Sequence, residues 1–352
     1  MTVAVVGAGL TGLAAAWELT RGGADVLVLE SERRAGGLVL TERQDGFVIE
    51  AGPDGWLAAE PEIPTLAEEL GGGLAGRLVR QSVGGTFHWT GTALEPLEEG
   101  RAAALLGIQA RGEDLAAGFM SFRGGMGELV DALLGSIGQL VRSPAGLTGL
   151  IPNGTRWRMQ LTGGAQVEAE AVVLAMPAYA AGRVLEQAGV TGARELGAVT
   201  YYPSLTVSLA YRDAQIGRRL EGTGFVSSAS GVVRACTYAS RKFPGRAPPD
   251  YELVRAFLSP VDGDPAVIAH RELAAVLRIR VGEPVLARSF LWPKGIPRYG
   301  AEQRERVAEA RRRLTRLPPL AIAGAGYDGA GVSACVRSGR QAAQLIARRM
   351  TG

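Results

Sequence analysis

Short apolar runs alternate with glycine-punctuated polar stretches along the chain. Val3-Ala4-Val5-Val6 is continuously apolar, as a strand buried on both faces requires. Apolar residues then recur at Leu13, Ala16, Trp17 and Leu19, a helical stripe that ends at Gly22-Gly23. Val26-Leu27-Val28-Leu29 predicts a second buried strand. Phe47-Val48-Ile49 predicts a short one that stops on Glu50 and the small residues after it. VEAEAVVLAMPAYAAGRVL adds a strand running into Pro177. Leu320 to Ala323 adds another, followed by a glycine-rich passage and a helix ending near Met350. Between these, TYYPSLTVSLAYR and the run Tyr251 to Leu258 alternate with period two, which predicts an antiparallel sheet. Strand–helix–strand units thus flank a sheet-rich middle.

Composition narrows the function classes. With 352 residues, 47% hydrophobic and 21% charged, the chain has room for two globular domains. A net charge of +3 is too small to argue for a nucleic-acid partner. The basic run Arg311-Arg312-Arg313 lies beside Glu305 and Glu309 and reads as a solvated helix face. The only cysteines, Cys236 and Cys335, are far apart, and the only histidines are His88 and His270. Neither metal binding nor histidine acid–base chemistry is indicated. No leader is read before the first strand and no 18-residue apolar run occurs, so a soluble, cytoplasmic chain with reduced thiols is expected.

The first strand runs directly into Gly7-Ala8-Gly9-Leu10-Thr11-Gly12, and an acid, Glu30, ends the second strand 18 positions after Gly12. This is a dinucleotide-binding pattern with physical content: Gly7 for the tight turn, Gly9 for approach of a pyrophosphate, Gly12 for close helix–strand packing. The helix N-terminus offers unpaired N–H groups to phosphate, and Glu30 accepts from a ribose. After Glu30 come Ser31, Arg34, Gly36, Gly37 and Leu38. Glu-x-x-x-Arg-x-Gly-Gly resembles the FAD-binding flavoproteins of the p-hydroxybenzoate hydroxylase/amine-oxidase type. The resemblance implies an α/β, Rossmann-like FAD-binding domain with a second, mainly antiparallel-sheet substrate domain. It places Gly52-Pro53-Asp54-Gly55 against the flavin ring, where small residues permit backbone contact. In isolation the same letters fit a surface type I turn. Glu50 reads as an anchor for neighbouring backbone or for Arg34 rather than as a catalytic base. Near the C-terminus, the glycine passage through Ala325 leads to Ala330, Gly331 and Val332, whose N–H groups, with the helix behind them, suit the negative charge of reduced flavin. Ala145 is expected near the adenine.

Longer stretches narrow the resemblance. GGLVLTERQDGFVIEAGPDGWLA, SFRGGMGELVDAL, RACTYASRKFPGRAPPDYELVRAFL and EPVLARSFLWPKGIPRY occur in the order found in the protoporphyrinogen/coproporphyrinogen III oxidases of haem biosynthesis. This resemblance implies noncovalent FAD, a porphyrinogen substrate oxidised to porphyrin, and O2 as acceptor. It adds Trp292 to the FAD contacts and names Val226, Tyr238 and Phe257 as apolar substrate contacts. Arg234, Arg241 and Lys242 are candidate partners for substrate carboxylates. No side chain is assigned as a catalytic group, since the flavin carries the chemistry. Residues 1–57, 119–198 and 285–352 are expected to form the FAD-binding domain, and 58–118 with 199–284 the substrate domain. The chain departs from the family between Leu97 and Phe122, where a long helical, membrane-facing segment is cut to about twenty Ala-rich residues, enough for one short helix. In plant and mitochondrial members an arginine meets a propionate near the place of Thr86. Rival readings are a flavin amine oxidase or desaturase of the same fold, and a non-catalytic flavoprotein or porphyrin carrier. Oligomeric state is left open.

Overall fold

A computed structural model describes residues 2–105, 112–280 and 282–351. Five parallel strands form one sheet, in the order Val141–Arg142, Asp25–Leu29, Thr2–Val6, Ala171–Leu174, Leu320–Ile322. Thr2–Val6 is central, with the connections leaving it on both sides, so its carboxyl end opens into the crevice where such sheets bind ligands. Its residues Val3, Ala4 and Val5 are wholly buried, which explains the unbroken apolar run. The helices Leu10–Arg21 and Val332–Thr351 cover one face and pack tightly: a Cβ on Gly339 would overlap the Thr11 carbonyl oxygen. Three antiparallel strands, Leu147–Asn153, Arg156–Leu161 and Gln166–Ala169, close the other side through Trp157 and Met159.

The second layer is a seven-stranded sheet ordered Leu286–Arg298, Thr200–Arg212, Tyr251–Leu258, Val233–Thr237, Gly224–Ser227, Thr86–Trp89, Leu94–Leu97. The domain boundary expected at 285 is corrected here. Strand Leu286–Arg298 pairs with Thr200–Arg212 over most of its length, so it belongs to this sheet. Its irregular, proline-containing sequence hides that pairing. One face of the sheet carries Val207, Leu209, Tyr211, Val254, Ala256 and Cys236, and packs on helix Pro265–Leu277. The pairing register puts Val226, Ala235, Phe257, Thr206 and Phe290 on the opposite face.

The hairpin Thr41–Gln44/Phe47–Glu50 bridges the two layers. Asp45 and Gly46, at φ 51° and 81°, make its two-residue turn. Its Phe47 and Ile49 pack on Ala210, Leu253 and Leu286 of the large sheet. Within the shortened segment the described residues include helical stretches Glu99–Leu105 and Gly112–Ala116; residues 106–111 lie outside the described residues. No helix among the described residues is long and apolar enough to cross a membrane.

Candidate active site

The N-terminal loop is built by close backbone approaches. Gly7 has φ 101°, and a Cβ there would collide with the Ala175 carbonyl of the neighbouring strand. A Cβ on Gly12 would collide with the Gly7 carbonyl oxygen. Gly9 differs: the nearest atom to an added Cβ is Gly37 Cα at 3.9 Å, so the space over it is open. The first helical hydrogen bond, Leu13 N–H to Gly9 C=O at 2.9 Å, leaves the N–H groups of Leu10, Thr11 and Gly12 ahead of it. This is an open cradle at a helix N-terminus, and a dinucleotide pyrophosphate fits it.

The second glycine pair locks onto the first. Gly9 and Gly36 form a parallel bridge, and Gly36 N–H donates to Ala8 C=O at 2.7 Å. Arg34 donates from Nη1 to the carbonyls of Ala35 and Val39 and from Nη2 to that of Gly37, which holds the turn. Glu30 is buried. Its carboxylate accepts from Ala8 N–H at 2.7 Å, Glu32 N–H at 2.8 Å and Ser31 Oγ at 3.1 Å. Three of roughly four acceptor positions are thus used, leaving room for a ribose hydroxyl. Ala145 lies beside it, donating its N–H to the Glu30 carbonyl at 2.5 Å.

From Gly37 the path continues through half-exposed Leu38 to Gly52, whose Cβ would overlap the Leu38 carbonyl oxygen. The next carbonyl back, that of Ala51, accepts from Trp292 Nε1 at 2.8 Å and Arg255 Nη2 at 3.4 Å. Asp54 pairs with Lys242 at 3.0 Å. Burial alone would raise the Asp54 carboxyl; Lys242 and Arg255 overcome it and hold it below the ordinary range. Gly55 is closed in by the Met120 carbonyl. At the C-terminal passage Tyr299 donates to the Ala325 carbonyl, and Ala330 and Gly331 are exposed just before the helix that starts at Val332. A succession of contacts thus links Glu30 with Ala145 and Ala8, Gly9 with Gly36 and Gly37, Leu38 with Gly52, and Ala51 with Trp292.

Several expected contacts are placed elsewhere. Tyr238 is fully buried on the helix-covered side, its ring 6.3 Å from that of Phe225, so it does not line the face that carries Val226 and Phe257. It keeps the parity of Cys236, so the alternation of strand Val233–Thr237 directs it to that side, opposite Ala235 and Phe257. Lys242 is committed to Asp54 and Arg241 to Glu252, so neither is a free cation. Arg234 is exposed at a bulge and donates to Ser259 Oγ at 2.7 Å. Glu50 anchors backbone as expected, through Met126 N–H at 2.8 Å, but its cation is Arg246, not Arg34. Thr41 Oγ1 also donates to it at 2.6 Å. Burial pushes the Glu50 carboxyl up, against the pull of Arg246.

Sequence reasoning missed the cluster this makes. Arg246 and Arg255 are 1% and 6% exposed, and with Lys242 they face Glu50 and Asp54 around a cavity of 10 Å³, room for about one water. Arg246 Nη1 lies 3.0 Å from Glu50 Oε1 but is misaligned for a hydrogen bond, and Arg255 Nε has no partner among the described residues. The signal was available: Arg255 shares the alternation of Leu253 and Phe257 in a strand buried on both faces. A separate groove of 540 Å³ is lined by Arg43, Arg77, Glu128 and Asp131. Its cations are already paired, Arg43 with Asp131 and Arg77 with Glu128.

The family model for flavin containing amine oxidoreductases matches the chain over residues 10–96 and 76–347. The chain belongs to that family. It is an oxidoreductase that works with a flavin. Coproporphyrinogen III oxidase of Propionibacterium freudenreichii subsp. freudenreichii is 27% identical, with 97% of this chain and 90% of the relative covered. That alignment runs over 484 positions against 352 residues here, so the relative carries segments this chain lacks. Coproporphyrinogen III oxidase of Bacillus subtilis (strain 168) is 22% identical over 97% and 96% of the two chains. The structure of cyclohexylamine oxidase from Brevibacterium oxydans IH-35A superposes with a TM-score of 0.78 at 15% identity, covering 100% of both chains, and shows the shared fold.

Proposed function

We propose that the protein oxidises a porphyrinogen to the porphyrin with FAD as cofactor and O2 as acceptor, as a step of haem synthesis in the cytoplasm. The near-complete match to two coproporphyrinogen III oxidases carries this reading. The Gly9 cradle supports it on the cofactor side. We assign the pyrophosphate to Gly7 through Gly12, the ribose to Glu30, the adenine side to Ala145, and the flavin ring to Gly52 through Gly55 with Trp292 and Ala330 through Val332. FAD bound there would take up hydride, six electrons in all passing from porphyrinogen to three O2 to give three H2O2. The chain's part is positional. Trp292 and Arg255 fix the Ala51 carbonyl, so the segment after it holds one geometry. The cluster of three cations and two carboxylates beneath that segment carries a net positive charge, suited to a flavin that becomes negative on reduction. Phe257 presents apolar surface on the sheet face that also carries the buried Val226.

Coproporphyrinogen III is the favoured substrate over protoporphyrinogen IX. Four carboxylates want an open, water-accessible pocket, because burying an unpaired carboxylate is costly. The shortness of the segment between Leu97 and Phe122 supports such a pocket. Initial O2 consumption with each porphyrinogen at matched concentration is the test. Faster turnover of protoporphyrinogen IX would reverse the choice of substrate, and no turnover of either would refute the function. Flavin should leave the protein on acid precipitation, as a noncovalent cofactor does.

A further inference from the structure

In the C-terminal passage the helix Ala325–Asp328 makes a single turn, and two side chains from outside the passage meet it where it ends. Asp328 N–H donates to Gly324 C=O at 3.1 Å, which sets the helical spacing. Continued by that spacing, Gly329 N–H would donate to Ala325 C=O, and Ala330 N–H to Gly326 C=O. Both carbonyls are taken by side chains instead. The Tyr299 hydroxyl donates to Ala325 C=O and accepts from Gly329 N–H, so it stands inside the bond that would close the next turn. Gln303 Nε2 donates to Gly326 C=O at 2.9 Å. The chain leaves the helical path at Gly329, with φ 127°.

Tyr299 directly follows strand Leu286–Arg298 of the seven-stranded sheet, and Gln303 begins helix Gln303–Leu314. Gln303 is buried, so its amide must be satisfied from within. Burial pushes the Tyr299 hydroxyl up, so it keeps its proton and donates. The rest of the turn is tied separately. Gly324 N–H donates to Ser338 Oγ at 2.8 Å, Ser338 Oγ to Asp328 at 2.6 Å, and Tyr327 Oη to Met176 C=O at 3.0 Å. With the two carbonyls occupied, the N–H groups of Ala330 and Gly331 have no hydrogen-bond partner among the described residues. The first bond of helix Val332–Thr351 runs from Cys335 N–H to Gly331 C=O at 2.9 Å, so the N–H groups of Val332, Ser333 and Ala334 also lie ahead of it. Ser333, in that first turn, is wholly buried, and its hydroxyl has no partner among the described residues. A buried hydroxyl left open beside a row of free N–H groups points to a ligand there.

We propose that Tyr299 and Gln303 are positioning residues for the flavin: by occupying the Ala325 and Gly326 carbonyls they keep the N–H groups of Ala330 and Gly331 free to meet the negative charge of the reduced ring. The proposal rests on the placement of that ring at Ala330 through Val332 given above, and not on the identity of the substrate. Donors that stabilise a developing charge act best when they are already in place and unpaired. An N–H group spent on the Gly326 carbonyl would have to give up that bond first. Two neutral side chains on two carbonyls remove the competitor without adding a charge.

The test is the reduction potential of the FAD-loaded protein, measured by equilibration with a dye of known potential. The variants are Tyr299→Phe, Gln303→Leu, the two together, and Tyr327→Phe. Tyr327→Phe is the control, since it loses a hydroxyl bond on the same turn and frees neither carbonyl. The double variant should lose about tenfold in its preference for reduced over oxidised FAD, as one hydrogen bond to a charged group implies. Tenfold is a fall of about 30 mV for a two-electron couple. Each single variant should show part of it. Tyr327→Phe should lower the urea midpoint and leave the potential unchanged. In the flavin-free wild type, amide hydrogen exchange should be fast at Ala330 and Gly331. Protected amides there overturn the proposal, as does an unchanged potential in the double variant. An equal fall in Tyr327→Phe also overturns it, because the effect is then general loosening of the turn. The expected fall in a protein that oxidises no porphyrinogen upholds the two positioning residues and refutes only the substrate reading. Wild-type protein that takes up no flavin refutes the cofactor placement, and the proposal with it.

Discussion

Replacing Gly9 by valine separates cofactor binding from folding. Gly9 has φ −70° and ψ 175°, an extended conformation open to any residue, and an added Cβ comes no nearer than 3.9 Å to its neighbours. Gly9 is also the N-cap of helix Leu10–Arg21, where valine costs about 0.5–1 kcal/mol relative to glycine. The lost freedom of glycine in the unfolded chain offsets this by about 0.4–1 kcal/mol. The apoprotein should therefore change by less than about 1 kcal/mol, on the order of 1–2 °C in Tm for a chain this long. The cofactor is another matter. The valine methyls would occupy the space assigned to the pyrophosphate, so flavin affinity should fall at least about a hundredfold. At FAD one hundred times the wild-type Kd, the wild type gains about 2.7 kcal/mol of stability from the ligand and Gly9→Val gains almost none. Thermal unfolding of apoprotein with and without FAD reads both quantities. Undiminished FAD stabilisation in Gly9→Val would show that the pyrophosphate lies elsewhere, and a collapsed apoprotein would show that the space over Gly9 is not open.

Gly12→Ala should fail in the opposite way, losing several kcal/mol of apoprotein stability because its Cβ meets the Gly7 carbonyl, as urea unfolding would show. Arg246→Met should cost about 3–5 kcal/mol, since it strands the buried Glu50 carboxylate, and Glu50→Gln/Arg246→Met together should recover most of it in the same assay. Trp292→Phe removes one of two donors to the Ala51 carbonyl and should weaken FAD binding about fivefold by equilibrium titration, with the urea midpoint little changed. Asp54 is held below the usual carboxylate range, so the unfolded chain takes up its proton first as the pH falls. Its contribution is complete above about pH 4 and is lost as the pH drops through the folded value. Asp54→Asn should therefore flatten the urea midpoint between pH 5 and pH 3.

The cofactor half of the fold was legible because its signals are local. Strand, glycine turn, helix, strand and acid occupy Val3 to Glu30 without interruption, and each glycine answers to one steric demand. The substrate half depends on contacts distant in sequence. Alternation within Tyr251–Leu258 marks Arg255 as inward, but nothing local says that it meets Ala51, 204 positions away. Lys242 and Arg241 look like surface charges until Asp54 and Glu252 are brought to them by the fold. Tyr238 was assigned by family resemblance, although its parity with Cys236 points to the helix-covered side, and Leu286–Arg298 was assigned to the wrong layer because Pro293, Gly295 and Pro297 mask its pairing.

The most direct test of the whole account is anaerobic mixing of the flavin-loaded protein with coproporphyrinogen III, followed by flavin absorbance. The account predicts bleaching of the bound flavin with stoichiometric appearance of oxidised macrocycle, and recovery of the flavin colour when O2 is admitted. Flavin that stays oxidised with coproporphyrinogen III and protoporphyrinogen IX, yet bleaches with a primary amine, would contradict it.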